Sequence, residues 1–174
     1  MANKYTEKSH CYIIGYGSLV NTNNRNKTAI TKAEPVIIDK NFNYIRIYND
    51  CYSNLPSLGI KKVTKNDEQS CINGVIFKVN KQQLKLFDQR EGMYNRIRIP
   101  QKYIYKYKPD QNHKKTNIRL PIYIYVTKNT YLLNNRYKCD KKNNKNYINI
   151  VMEGFKEYGD KFYNLFLLTT KEFL

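Results

Sequence analysis

Ten residues constrain this chain more than any others: Cys11-Tyr12-Ile13-Ile14-Gly15-Tyr16-Gly17-Ser18-Leu19-Val20. A short apolar run rich in β-formers reads as a buried strand, and it ends in two glycines one residue apart, then a hydroxyl residue. Glycine at such a place permits a tight turn and lets a ligand approach the backbone amides closely. Successive N–H groups in a turn of this kind form a small concave anion site without any cationic side chain. The stretch predicts a strand delivering the chain into a holding loop for a phosphate, a carboxylate or purely structural need, and the remaining residues must say which.

The chain has 174 residues, 41% of them hydrophobic and 26% charged, which suits one globular domain with a real core. The expected domain is 1–174, with a strand-rich core over 11–128 and a helical segment over 139–174. Strands are expected at Pro35–Ile38, Asn43–Tyr48, Ile72–Val79 and Ile118–Val126, with alternation of period two over Tyr94–Tyr107. Pro56 and Gly59 mark 50–66 as loop, and Pro100 argues for an edge or a bulge. Asn80 is placed to cap a helix through Arg90, with Gly92 as its stop. Residues 1–9 read as frayed and 140–146 as a polar connection. Tyr147, Val151, Phe155 and Tyr158 then share one helical face, Gly159 breaks it, and Phe162, Leu165 and Phe166 begin a second helix. The class is α+β: a single domain with a mixed, curled sheet or a β-barrel flanked by helices, and helices at its C-terminal end.

Charge excludes less than it suggests. The balance is +17, but only seven of the 31 basic residues are arginine, and the lysine excess accompanies many Asn, Ile and Tyr. Those are the residues that A/T-rich codons encode, so basicity alone does not establish a nucleic-acid partner. A basic surface still speeds encounter with small acidic substrates. Cys11, Cys51, Cys71 and Cys139 lie far apart with no C-x-x-C pair, which fits reduced thiols rather than a zinc site or a disulfide framework. The sequence has only His10 and His113 and no H-x-x-x-H pattern, so neither a metal nor a cofactor is expected. With no signal-peptide core and no apolar run of about 18 residues, a cytoplasmic, membrane-free protein is expected, as a monomer or homodimer. Ser18 is not in a nucleophile elbow, since Tyr16 and Val20 stand where glycines would be needed, and Val20 also breaks the dinucleotide fingerprint.

The segment Phe87-Asp88-Gln89-Arg90-Glu91-Gly92-Met93-Tyr94 puts a carboxylate at a helix end just before a strand. Glu91 is either a solvated helix cap or a lone carboxylate base whose affinity for protons rises in an apolar site. Composition does not decide between them.

Taken together, Gly15-Tyr16-Gly17-Ser18-Leu19, the Phe87–Glu91 segment with Tyr94, the strand Ile72-Asn73-Gly74-Val75-Ile76-Phe77, and the late helix from Tyr147 with Gly154 resemble the γ-glutamylcyclotransferase superfamily. That group includes the glutathione-specific cation-transport-regulator-like enzymes and the AIG2-like proteins. The resemblance spans most of the chain in the right order, with Phe87 where the family has Leu. It implies that Ile13, Ile14, Gly15, Tyr16, Gly17, Ser18 and Leu19 hold the γ-glutamyl end of a small-molecule substrate. Glu91 would be the single acid/base, Tyr147 would contact substrate, and Tyr94 would shape the pocket. The product implied is 5-oxoproline, from a γ-glutamyl amino acid, a γ-glutamyl amine or glutathione. Two other readings accompany it: a basic nucleic-acid-binding module using Tyr103–Lys108, with interleaved Tyr and Lys, and a catalytically silent ligand-binding member of the same fold.

Overall fold

The first strand, β1 (His10–Gly15), lies inside a seven-stranded sheet. The computed structural model describes residues 10–52, 55–128 and 144–171; residues 1–9, Cys139 and most of the 140–146 connection lie outside these. β1 pairs along its whole length with β5 (Ile72–Asn80), antiparallel, and lies parallel to β9 (Ile122–Thr127). Beyond β5 come β2 (Ala33–Ile38), β7 (Ile104–Lys106) and the two-residue β8 (Lys114–Lys115); beyond β9 comes β6 (Tyr94–Arg98). Both faces of the central strands are covered. Ile13, Val75, Phe77 and Val79 pack with the helices, while Ile14, Ile72 and Ile76 pack on the other side with Val36, Ile38 and Ile124. Burial on both faces explains why Ile72–Val79 reads as a nearly unbroken apolar run instead of alternating.

This sheet is mixed, as expected, but it is not closed into a barrel. Its edges, β6 and β8, remain apart in the strand order. β8 carries two exposed lysines and β6 exposes Arg96 and Arg98, charges that oppose pairing of those edges.

A second sheet corrects the expectation of a loop over 50–66. β3 (Tyr44–Tyr52) and β4 (Leu55–Lys62) form an antiparallel hairpin, and β10 (Thr170–Lys171) lies parallel to β3. Pro56 is compatible with β4 because β4 is an edge strand, where one missing N–H costs no ladder bond. The register shifts between Ile47 and Asp50, an irregularity that bends the hairpin. The alternating stretch from Tyr94 also divides. Pro100 precedes a 3-10 turn over Gln101–Tyr103, which separates β6 from β7.

The short helix α1 (Thr22–Asn26) follows the glycine turn, with Asn21 as its N-cap. In α2 (Lys81–Arg90), the Asn80 side chain accepts from the Gln82 and Gln83 amides while the Gln83 side chain accepts from the Asn80 amide. This reciprocal capping box starts the helix where the sequence predicts. Gly92 is not a left-handed stop: the C-cap is Glu91 itself, at φ −94°. α3 (Lys145–Lys156) and α4 (Asp160–Thr169) are separated by Gly159 at φ 94°. They join through Phe155, which stacks on Phe166 at 4.0 Å between ring centroids and on Phe162 at 5.6 Å. No helix among the described residues is long and apolar enough to cross a membrane.

Candidate active site

The cleft at the end of β1 exists because two strands come closer there than side chains allow. A Cβ on Gly74 would lie 2.4 Å from the Gly15 carbonyl oxygen, so the neighbouring strand passes directly under the turn. On the other flank, a Cβ on Gly154 would lie 2.4 Å from the Asn21 amide nitrogen, so α3 packs against the turn's far end. Between these contacts the chain reverses, and the Val20 amide donates to the Gly17 carbonyl at 2.9 Å.

The turn lines a cleft of about 200 Å³ with Ile14, Gly15, Tyr16, Gly17, Ser18 and Leu19. Glu91, Tyr94 and Tyr147 line the same cleft. Three separate segments, about 75 and 130 residues apart in sequence order from the turn, thus meet at one place. Ile13 does not: it is fully buried with Phe77 and Phe155 on the helical side. Alternation along β1 sends its side chain away from its neighbour Ile14, which does reach the cleft.

Glu91 reaches the site from the end of α2. Its amide donates to Phe87 O at 2.9 Å, and the Tyr94 amide donates back to Glu91 O at 2.8 Å, closing the turn into β6. Phe87, fully buried with its ring 5.2 Å from that of Phe77, fixes the helix end on the sheet. The Glu91 side chain is 15% exposed and pairs with Arg90 at 3.1 Å between Oε1 and Nε. Arg90 in turn donates to Asn24 O at 2.8 Å, to Thr28 Oγ1 at 2.9 Å and to Ser18 Oγ at 3.4 Å. One guanidinium therefore connects the carboxylate, α1 and the glycine turn.

The opposite wall comes from β4, from the region expected to be loop. The Leu58 amide donates to the Tyr147 hydroxyl at 3.0 Å, and the Tyr94 hydroxyl donates to Leu58 O at 3.0 Å. Ser57 lies 3.3 Å from the same Tyr94 hydroxyl. Ser57, Leu58, Arg90, Met93 and Tyr125 also line the cleft, beyond the site residues that the sequence points to. Adjacency to Glu91 could have pointed to Arg90 and Met93. Nothing local marks the others.

Tyr125 receives the Tyr16 hydroxyl on its carbonyl at 2.6 Å, and its own hydroxyl donates to Asp88 Oδ1 at 2.9 Å. Burial, and then the bond to Asp88, pushes its phenol well above the usual value, so it stays protonated. Asp88 also pairs with Arg96. The cleft thus offers one carboxylate, several neutral hydroxyls and a turn of backbone amides. Among the described residues, no three of His, Cys, Asp and Glu gather as a metal site. A larger groove of about 870 Å³ lies elsewhere, against α4, but it contains none of the turn residues and not Glu91. Size alone does not select the chemistry here.

No family model and no curated protein matches the sequence. Solved structures do match the fold. A structure named γ-glutamyl cyclotransferase superposes with a TM-score of 0.62 at 14% identity, covering 94% of this chain and 89% of that one. An uncharacterised protein from Homo sapiens gives 0.62 at 16% identity, covering 94% and 90%. A yeast γ-glutamyl cyclotransferase described as specific to glutathione gives 0.59 at 13% identity, covering 92% and 95%. Nearly complete coverage in both directions identifies the architecture: this chain has the γ-glutamylcyclotransferase fold.

Proposed function

We propose that this protein is a cyclotransferase that releases 5-oxoproline from a γ-glutamyl compound, with Glu91 moving the proton. The observation that carries the reading is that the Glu91 carboxylate and the Gly15–Leu19 turn line one small cleft.

The chemistry needs little more. A γ-glutamyl amide carries its own nucleophile, the α-amine, which closes a five-membered ring on the γ-carbonyl carbon. One C–N bond forms and the C–N bond to the leaving amine breaks. The α-amine loses a proton to Glu91, and Glu91 returns it to the departing nitrogen. Attack within one molecule already has a high effective molarity, so the protein chiefly holds the folded conformer. Negative charge grows on the carbonyl oxygen as the ring closes, and a turn amide is the donor suited to it. Ser18 positions rather than attacks, with its hydroxyl near Arg90. Tyr147 and Tyr94 fix the β4 wall that closes the far side of the cleft.

The yeast neighbour's name ties that protein to glutathione; for this chain glutathione is one member of a test panel, beside γ-glutamyl amino acids and γ-glutamyl-lysine-type amines. The purified protein is expected to form 5-oxoproline from at least one of them. Silence across the whole panel overturns the enzymatic reading in favour of a binding role for the same cleft.

A further inference from the structure

Cations in this chain are mostly lysine, so the seven arginines stand out, and three of them converge on the glycine turn. Besides Arg90, Arg46 donates to Tyr16 O at 3.2 Å, and Arg25 donates to Leu19 O at 2.9 Å and to Val20 O at 3.1 Å. Arg46 is 0% exposed and Arg25 1%. Neither forms an ion pair with a carboxylate among the described residues. An unpaired buried charge is costly unless neutral acceptors surround it. Arg46 has them: Asn73 O at 2.6 Å, Asn73 Oδ1 at 2.7 Å, Thr170 Oγ1 at 2.7 Å and Thr169 Oγ1 at 3.0 Å, with the Phe166 ring 4.6 Å away. Burial lowers its pKa to about 9, which leaves it cationic at neutral pH.

Peptide-plane geometry converts these bonds into donor directions. In a trans peptide the C=O and the following N–H point opposite ways, and no cis bond occurs among the described residues. Drawing Tyr16 O onto Arg46 therefore aims the Gly17 N–H the other way. Asn24 Nδ2 holds Ser18 O at 3.0 Å and so aims the Leu19 N–H. Arg25 holds Leu19 O, whose plane carries the Val20 N–H that closes the turn on Gly17 O. Gly17 and Leu19 both line the cleft, and neither amide meets an acceptor among the described residues.

We propose that Arg46, by holding Tyr16 O, and Arg25, by fixing the closing end of the turn at Leu19 O and Val20 O, are positioning residues that hold the turn so that the Gly17 N–H, and the Leu19 N–H aimed by Asn24, donate to an oxygen of the ligand. The ligand's identity rests on the cyclotransferase reading; the direction of the donors does not. A lysine cannot reproduce this, because a single ammonium point charge does not span the acceptors that the guanidinium fork reaches.

The test is a backbone amide NMR titration of the wild type, Arg46→Lys and Arg25→Lys with 5-oxoproline, together with 5-oxoproline formation from the substrate panel. Ile104→Val, fully buried on the other side of the sheet, serves as a control for plain destabilisation. In the wild type, the Gly17 and Leu19 amides are expected to shift on binding. Folded Arg46→Lys should bind about tenfold more weakly, Arg25→Lys should also weaken binding, and Ile104→Val should bind like the wild type despite a lower Tm. Unchanged affinity in folded Arg46→Lys, or wild-type shifts confined to other residues, overturns the proposal; so does absence of binding. If both lysine variants fail to fold, wild-type shifts confined to residues other than Gly17 and Leu19 still overturn the proposal. A wild type that binds through these two amides but forms no 5-oxoproline removes the enzymatic reading and retains the positioning one.

Discussion

Gly74→Ala tests the geometry from which the cleft is built. The added Cβ would sit 2.4 Å from Gly15 O and 3.3 Å from both the Gly15 carbonyl carbon and Tyr16 Cα. All three are backbone atoms, so no rotamer change relieves the contact. The two strands must separate by about 1 Å at a point where they are paired residue by residue from His10 to Gly15. Overpacking of this kind costs about 1–3 kcal/mol, and immovable atoms put this site at the upper end. Replacing glycine in a strand recovers about 0.5–1 kcal/mol of chain entropy. The steric term wins, leaving a net loss of about 2 kcal/mol. For a chain of this size that corresponds to a Tm lower by roughly 4–8 °C. Gly92→Ala is the matched control: its Cβ would meet only Gln89 O, at 3.5 Å, and its backbone is not left-handed. That variant should melt within about 2 °C of wild type, or slightly higher. The assay is a circular-dichroism melt of all three proteins. A Gly74→Ala variant that melts with the wild type refutes the close approach of β5 to the turn.

Two further predictions concern the surroundings of the cleft. Asp67 has a side chain 2% exposed, accepts from the Thr64 hydroxyl at 2.7 Å, and pairs with Lys61 of β4 at 2.9 Å and Lys171 of β10 at 3.3 Å. It thereby connects both edges of the small sheet. The Thr64 hydroxyl bond, aided by the lysines, holds its carboxyl well below the usual value. The folded pKa lies below the unfolded one, so its stabilisation is present above about pH 4 and is lost as pH falls further. Asp67→Asn should therefore lower Tm at pH 7, with a gap to wild type that narrows progressively as pH falls below about 4; a gap that stays constant as the pH is lowered counts against the assignment. Tyr147→Phe removes the acceptor of the buried Leu58 amide, at a cost of about 1–3 kcal/mol, and should raise KM more than it lowers kcat. A loss in kcat with KM unchanged would place Tyr147 in the transition state instead.

The parts of the site that are legible in the sequence are those written in consecutive residues. The Gly15–Leu19 turn follows its strand directly, and Glu91 ends a helix whose cap, Asn80, is visible eleven residues earlier. The β4 wall is different in kind. Ser57 and Leu58 reach the cleft only because β4 pairs with β3, and that pairing overrides the turn character of Pro56 and Gly59. The family resemblance puts Ile13 in the holding loop, yet strand alternation turns its side chain into the core. Arg25 and Arg46 are invisible for another reason: in a chain carrying +17, any cation reads as solvated surface until burial shows otherwise. The sheet's failure to close depends on which edges meet, and two-residue β8 with its lysines gives no periodic signal at all.

The most direct test of the central claim is 5-oxoproline formation by wild type and Glu91→Gln on the same γ-glutamyl panel. The substitution keeps the shape of the side chain and removes its ability to take a proton. Wild type should turn over at least one substrate, and folded Glu91→Gln should lose about 10²-fold or more of kcat. Glu91→Gln turning over at the wild-type rate would contradict the account.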